Sequence, residues 1–239
     1  MKRSDKHFIS KAFVAPNVLE IDVDPSLLAP CKAIVREIQD CPVTSGPVTF
    51  GGKLNLFVAS PASWSSDIRW FSQNDPESFA WFEMLFEAIA PQRHVERMID
   101  YDRRIVLYSG SFIARSRCTE PHFHKDWIKA ENDAWVFLTP VSERCDRIGL
   151  VYENLRGGTS DYTYRHGKGL IFGDHFSHST RPGSAREPEI LLSLNFGTDR
   201  MDHWHQIATT TAYQGNCHRR PDGVFVRAGV PQVPDQPLA

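Results

Sequence analysis

Residues 134–140 read Ala-Trp-Val-Phe-Leu-Thr-Pro, and residues 190–196 read Ile-Leu-Leu-Ser-Leu-Asn-Phe. Both runs are short, apolar or alternating, and rich in residues that favour strands. Four more runs of this kind follow residue 100, separated by Gly, Asn, Asp and charged residues: Arg104–Tyr108, Ser111–Ala114, Gly149–Tyr152 and Leu170–Phe172. Six short strands without helices between them predict an antiparallel sandwich or open barrel and argue against a doubly wound sheet.

Two amphipathic helices are predicted before these strands. The first covers Leu27–Ile38, where apolar residues have helical spacing after Pro25 and Ser26. The second runs from Asp75 to about Ile89, with Asp75 as the N-cap and Pro76 at the first helical position. One face of this helix carries the apolar stripe Phe79, Phe82, Leu85, Phe86 and Ile89. We therefore expect that face to pack on a core.

The length of 239 residues predicts one domain with extensions. We divide it into N-terminal helical support (1–100), a β core (101–197) and a C-terminal extension (198–239). The sequence Asp202-His203-Trp204-His205 is expected to be the start of a surface helix. The final residues 231–239 are expected to be a loosely held tail.

Charge and composition exclude several classes of protein. There are 27 Lys and Arg against 29 Asp and Glu, so the formal net charge is −2, and we expect neither nucleic acid nor an anionic membrane as a partner. No apolar run approaches the roughly 20 residues of a membrane span. The five scattered cysteines, without CxxC spacing, predict reduced structural thiols rather than a zinc site or disulfides. Together these features predict a cytoplasmic protein.

The most informative segment is Glu120-Pro121-His122-Phe123-His124-Lys125-Asp126-Trp127. His124 and Asp126 are two residues apart, so on an extended segment both side chains project from one face and can reach one metal ion. Trp127 and Trp135 flank this motif. We expect both to pack in the core rather than to line a substrate site.

A third metal ligand must come from elsewhere in the chain. The turn 173–180, which follows the apolar run 170–172, offers His175 and His178. His122 is a further candidate, because it lies on the same face of an extended segment as His124 and would suit a cupin metal site. Two imidazoles and one carboxylate leave adjacent coordination positions open, which suits Fe(II) with a chelating cosubstrate and dioxygen.

At these residues the chain resembles the 2-oxoglutarate- and Fe(II)-dependent oxygenases. The matching residues are His124-Lys125-Asp126 and the run Gly169–Asp174 that leads to His178-Ser179-Thr180-Arg181-Pro182. The resemblance covers residues 100–197 and identifies no subfamily. It implies a mainly β fold with flanking helices around a double-stranded β-helix (jelly-roll or cupin-like) core. It also implies His178 as the third ligand, and Fe(II), 2-oxoglutarate and dioxygen as cofactor and cosubstrates.

The distal carboxylate of 2-oxoglutarate needs a basic partner, preferably a bidentate one. Members of the family commonly offer Arg or Lys about ten residues after the last His, but here positions 188 and 189 are Pro and Glu. We assign this role to Arg186. Arg115 and Arg117 are the alternatives, and Arg181 is expected to be a surface charge.

Three functions remain open from the sequence. The leading one is an oxygenase that hydroxylates a small metabolite, such as an amino acid or biosynthetic intermediate, with decarboxylation of 2-oxoglutarate to succinate. The second is a cupin-type metal dioxygenase or isomerase that does not use 2-oxoglutarate. The third is a non-catalytic β-sandwich binding module with structural histidines. Metal content separates the third from the others, and succinate formation separates the first from the second.

Overall fold

The computed structural model describes residues 8–60, 65–127, 129–213 and 215–227. The predicted tail 231–239 lies outside these ranges. Within them the helices are α1 (Ala29–Asp40), α2 (Pro76–Ile89) and α3 (Trp204–Tyr213). The strands are β1 (Ile9–Ser10), β2 (Ala15–Pro16), β3 (Val18–Asp22), β4 (Gly46–Phe50), β5 (Leu54–Ala59), β6 (Arg69–Gln73), β7 (Val106–Cys118), β8 (Ala134–Pro140), β9 (Leu150–Glu153), β10 (Thr159–Tyr162), β11 (Lys168–Phe172), β12 (His178–Thr180), β13 (Gly183–Gly197), β14 (Cys217–Arg219) and β15 (Phe225–Arg227).

Two antiparallel sheets build the core. The large sheet has eight strands in the order β3-β11-β8-β13-β7-β6-β5-β4, and the small sheet has the order β10-β9-β12. A single bridge between His124 and His178 adds the segment before β8 to the edge of the small sheet. Side chains of β7 and β11 contact β12 across the interior, so the two sheets face each other. This arrangement confirms the predicted mainly β jelly-roll core.

The two faces of the large sheet belong to different core clusters. On β13, Ile190, Leu192, Leu194 and Phe196 point outward into one cluster, which also contains the buried faces of α1 and α2. Leu191 points inward into a second cluster, between the sheets. The alternation follows from the two-residue period of a strand, so Ser193 and Asn195 share the inner face with Leu191.

Both predicted helices are present and cover the outer face of the large sheet. α2 begins at a capping box in which the Asp75 carboxylate accepts from the Ser78 backbone N–H, and Pro76 occupies the first turn. It packs against β7, β5 and β6 through its phenylalanine stripe. α1 packs against β13 and β4, and it begins two residues later than predicted because Pro25–Leu28 form a 3₁₀ turn. The predicted start at 202–205 is also confirmed, since α3 begins at Trp204.

The structure differs from the predicted elements in two places. Residues 1–100, expected as N-terminal helical support, include strands β3 to β6 in addition to the helices, because the large sheet extends beyond the barrel on both sides. The predicted strands 104–108 and 111–114 are one strand, β7. Gly110 does not mark a turn there. A Cβ at this position would overlap the Phe82 ring, so glycine is required for α2 to lie close to β7.

All five cysteines are free and buried, as predicted: Cys31, Cys41, Cys118, Cys145 and Cys217. Among the described residues no helix is both long enough and apolar enough to cross a membrane.

Candidate metal centre

A pair of backbone hydrogen bonds brings two distant histidines together. The backbone N–H of His124 donates to the carbonyl oxygen of His178 over 2.9 Å, and the reverse bond is also 2.9 Å. The imidazole rings then lie with their centres 4.7 Å apart. This antiparallel bridge places one side chain from each partner on the interior side of the small sheet.

Asp126 completes the cluster. Its Oδ1 lies 3.4 Å from His124 Nε2 and 3.9 Å from His178 Nε2. One ligand atom from each of the three residues falls within 4.8 Å of the other two. The structure thus brings together the three predicted ligands, which are separated by up to 54 positions in the sequence.

The second nitrogen of each imidazole is held by a backbone carbonyl. His124 Nδ1 lies 2.9 Å from the carbonyl oxygen of His122, and His178 Nδ1 lies 3.2 Å from that of Phe176. A proton on Nδ1 that donates to each carbonyl leaves the Nε2 lone pair free to bind a metal. The Phe172 and Phe176 rings pack against His178, with centres 4.7 and 5.3 Å away, and fix its orientation.

Burial and charge set the protonation of the cluster. Burial lowers the pKa of His178 to about 4, so this imidazole is neutral at physiological pH. Burial also acts on His124, but the hydrogen bond and charge of Asp126 outweigh it and raise the pKa of His124. Burial of Asp126 is in turn outweighed by the two histidines, which lower its pKa. A neutral imidazole and an ionised carboxylate are the forms that bind metal.

Among the described residues, the three ligand side chains remain partly accessible. The side chains of His124, Asp126 and His178 keep 29%, 17% and 8% of their exposure, respectively. Two imidazoles and one carboxylate that converge from one side leave the opposite coordination positions free for other ligands. This donor set fits the facial arrangement of mononuclear Fe(II) oxygenases.

The other two candidate ligands, His122 and His175, lie outside the cluster of His124, Asp126 and His178. His175 is exposed and adopts a left-handed backbone conformation, with φ of 70°. His122 is exposed, and its backbone N–H donates to the Ser179 hydroxyl. Neither belongs to the cluster of converging ligand atoms.

Arg186 lies on an exposed groove of about 1370 Å³ between α1 and the loop after β8. The residues that line this groove do not include His124, Asp126 or His178. Arg117 is exposed, and Arg181 donates to the Thr163 hydroxyl over 3.0 Å.

Arg115 occupies a different environment, inside the barrel. Only 7% of it is exposed, and its Nη1 donates to the Thr180 hydroxyl over 2.8 Å. Its guanidinium also lies 5.8 Å from the ring centre of Tyr164. Burial raises the pKa of the Tyr164 hydroxyl, and Arg115 opposes that effect. Arg115 is therefore a buried cation close to the strand that carries His178.

Glu189 lies at the position where the resemblance leads us to expect a basic residue, and its carboxylate has a structural role. Its two carboxylate oxygens accept the backbone N–H groups of Arg147 and Ile148, at 2.8 and 2.9 Å. In the β13–β7 ladder the residue directly opposite Glu189 is Arg115. The acidic residue thus supports a loop, while the cation stands on the neighbouring strand.

Sequence reasoning missed Thr180 and Tyr164 as residues of the site. Thr180 lies two residues after His178 on β12, so the period of a strand places both on one face. That signal was available in the sequence. Tyr164 lies between β10 and β11, and nothing in its local sequence indicates that it would approach Arg115. Trp127 and Trp135 are fully buried, as predicted for core packing.

Comparisons with known proteins give the fold. No protein-family model matches the chain, and neither does any curated protein. Among solved structures, one is a 2OG-Fe(II) oxygenase family oxidoreductase from Burkholderia pseudomallei (12% identity, 76% of this chain and 85% of that one, TM-score 0.51). Another is HygX from Streptomyces hygroscopicus with nickel and 2-oxoglutarate bound (12% identity, 76% and 83%, TM-score 0.50). A third is the alpha-ketoglutarate-dependent carbocyclase SnoK of nogalamycin biosynthesis (10% identity, 80% and 84%, TM-score 0.52).

The chain therefore has the fold of the 2-oxoglutarate- and Fe(II)-dependent oxygenases. At the level of the fold, this confirms the resemblance that the motifs at 124–126 and 169–182 indicated.

Proposed function

We propose that the chain is an Fe(II)- and 2-oxoglutarate-dependent oxygenase that acts on a small molecule. The observation that carries this proposal is the converging cluster of His124, Asp126 and His178 inside a barrel of the oxygenase fold. When bound there, Fe(II) with 2-oxoglutarate and dioxygen would supply the oxidative decarboxylation to succinate and carbon dioxide that drives substrate oxidation.

We assign the anchor of the distal carboxylate to Arg115 in place of Arg186. Thr180 follows His178 by two residues, which is about 6.6 Å along an extended strand. Arg115 donates a hydrogen bond to Thr180, so its guanidinium lies at a distance from the metal-ligand cluster that roughly matches the length of 2-oxoglutarate. A buried guanidinium offers paired donors to a carboxylate, and Tyr164 and Thr180 add hydroxyl groups beside it. Arg186 lies outside the barrel interior, in the exposed groove.

The residues of this chain would divide the work in a simple way. His124, Asp126 and His178 hold the metal. Arg115 orients the cosubstrate so that its other end reaches the metal. The buried rings of Phe172 and Phe176 exclude water from one side of His178.

For the type of oxidation and the substrate, we propose only a class. We retain hydroxylation of a small metabolite. Structures of the same fold include a carbocyclase and an epimerase, so ring closure and epimerisation are the alternative outcomes for a product analysis. The five buried free thiols support a reducing compartment, and we place the protein in the cytoplasm.

The proposal is tested by anaerobic reconstitution with Fe(II) and 2-oxoglutarate. We expect one iron per chain and a weak visible charge-transfer band that needs both components. On admission of air, succinate should form. Asp126→Ala is the matched control and should show neither the band nor succinate.

Two results would overturn the proposal. Iron binding without a response to 2-oxoglutarate would favour the cupin-type enzyme, with His122 as a candidate ligand. The absence of metal binding in the folded protein would favour the non-catalytic binding module.

A further inference from the structure

Four polar side chains lie together on the inner face of the two central strands, β7 and β13. We call them the polar patch: Ser109, Ser111, Ser193 and Asn195. In the ladder Ser193 pairs with Ser111, and Asn195 pairs with Ser109. Each is between 1% and 5% exposed. The same face also carries Arg115 and Glu189 on these two strands, and Ser72, the ladder partner of Ser111 on β6. Its apolar residues belong to the second core cluster: Val136, Leu138, Leu170, Phe172 and Leu191.

The hydrogen bonds of the polar patch are incomplete. Asn195 Nδ2 donates to the Ser109 hydroxyl over 3.0 Å, but its buried Oδ1 accepts nothing from the part of the chain that the structure describes. Exchanging the amide O and N leaves the other atom unpaired instead, so the deficit does not depend on that assignment. No side-chain hydrogen bond to described residues is formed by Ser111 or Ser193 either. Buried polar groups are nearly always paired with protein, water or ligand, so the patch is suited to a polar partner from outside the described chain.

The polar patch lies on the wall that faces the candidate metal centre. Arg115 shares its face of β7 and reaches Thr180 on the opposite sheet. Asn195 pairs with Val136, Val136 pairs with Phe172, and the Phe172 ring packs against His178. The patch therefore lies on the inner face between two residues that contact β12: Arg115 contacts Thr180, and Phe172 contacts His178.

The missing partner must match the amide atom that is left unpaired: a donor for Oδ1, or an acceptor for Nδ2 if the amide is exchanged. The oxygen atoms of ionised 2-oxoglutarate only accept, so the cosubstrate matches one of these two orientations. A substrate hydroxyl both donates and accepts, so it matches either orientation and can also bond the serine hydroxyls. The patch carries no formal charge, so recognition there would use neutral hydrogen bonds.

We propose that the polar patch determines specificity by receiving the hydroxyl or amine groups of a polyol or amino-polyol substrate bound beside the metal. This inference rests on the proposed function and names the substrate class for that site. A site built to bond polar groups rejects analogues that lack them, because its own buried groups are then left unpaired. Purely hydrocarbon ligands should bind poorly.

The experiment uses protein loaded with Ni(II) and 2-oxoglutarate, which does not turn over. The probes are myo-inositol, D-glucosamine and trehalose, with cyclohexanol as the apolar comparison, and binding is measured by calorimetry and thermal shift. The variants are Asn195→Leu, Ser193→Ala and Ser111→Ala. Thr139→Val is the control: Thr139 is buried on the neighbouring strand, but it lies on the outer face and donates to the Lys168 carbonyl.

We expect at least one polyol or amino-polyol probe to bind and cyclohexanol not to bind. Asn195→Leu should weaken that binding by about tenfold and each serine variant by about threefold, the range for one neutral hydrogen bond. Thr139→Val should bind the probe as the wild type does. The affinity for 2-oxoglutarate, titrated without probe, should be the same in the Asn195 and Ser193 variants as in the wild type.

Three outcomes would overturn the inference: no polyol binding to fully loaded wild type, equal binding to wild type and variants, or a parallel loss of 2-oxoglutarate binding. If Asn195→Leu does not fold, the two serine variants decide the question. Failure of the proposed function itself would be seen separately, as a wild-type protein that binds no metal or no 2-oxoglutarate before any probe is added.

Discussion

The two faces of strand β13 differ in chemistry although their residues alternate along one segment. The outward residues Ile190, Leu192, Leu194 and Phe196 are fully buried and apolar, and they pack in the cluster that also holds residues of α1 and α2. The inward residues between them include Ser193 and Asn195, which are also buried but polar. The residues of both faces are thus buried to a similar extent. The two faces differ in polarity and in what they pack against: the outer face contacts the helices, and the inner face contacts the barrel interior.

This comparison separates stability from chemistry within one sheet. The outer face gains free energy by removing apolar area from water, about 25 cal/mol per Å². The inner face gives up part of that gain to hold Arg115 and the polar patch opposite the metal-ligand cluster. Changes on the outer face should therefore affect folding, and changes on the inner face and the sheet opposite should affect binding.

The largest expected effect is the loss of the metal in His178→Ala. Removing one of three protein ligands should weaken metal binding more than 100-fold, since even outer-shell partners contribute roughly 10- to 100-fold. Metal content after dialysis and the circular dichroism spectrum are the measurements. His175→Asn is the matched control from the same turn, because Asn tolerates its left-handed conformation. Loss of metal in His175→Asn with retention in His178→Ala would reverse the ligand assignment.

On the outer face, Leu192→Ala should reduce the free energy of unfolding by about 2–5 kcal/mol, because it leaves a cavity in the helix-covered cluster. Its neighbour Ser193→Ala should cost less than about 1 kcal/mol, since that hydroxyl has no partner among the described residues to lose. Urea unfolding of both variants measures the contrast. Metal stoichiometry should stay at the wild-type value in folded Leu192→Ala. Equal destabilisation by the two variants would refute the division between the faces.

Arg115→Ala should raise the dissociation constant for 2-oxoglutarate by about 10- to 100-fold, the equivalent of one or two charge-assisted hydrogen bonds. Metal content should not change. Arg115→Lys should restore only part of the affinity, because an ammonium group lacks the planar fork. Arg186→Ala is the control from the exposed groove, and its 2-oxoglutarate affinity should equal that of the wild type. The opposite result would return the anchor to Arg186.

The most gradual effect expected is that of pH on metal affinity. The pKa of His124 is raised, so a proton competes with the metal for this imidazole, while His178, with a pKa of about 4, carries no competing proton above pH 5. As the pH falls below the pKa of His124, metal affinity should fall by about tenfold per unit, one proton per metal. Above that pKa, affinity should be flat. Metal titrations from pH 5 to 8 measure the slope, and a slope of two protons would show that His178 also titrates.

The local sequence is sufficient for the elements that carry their own signals. Asp75 and Pro76 determine where α2 begins, and the phenylalanine stripe determines which face is buried. The pairing of His124 and Asp126 at a spacing of two follows from the period of a strand. The apolar and alternating runs after residue 100 predict the β core, because their patterns need no distant partner to be recognised.

The tertiary structure alone decided the contacts between distant segments. From the sequence, Gly110 is expected to separate two strands. The structure shows one continuous strand there, and the close approach of Phe82 accounts for the glycine. The sequence does not distinguish Arg115 from the other candidate arginines. Its pairing opposite Glu189 and its hydrogen bond to Thr180 are visible only in the tertiary structure. The physical reason is that a strand's own residues specify which side chains share a face, while the partner across the barrel is set by sheet order and register. Those depend on the packing of the whole chain.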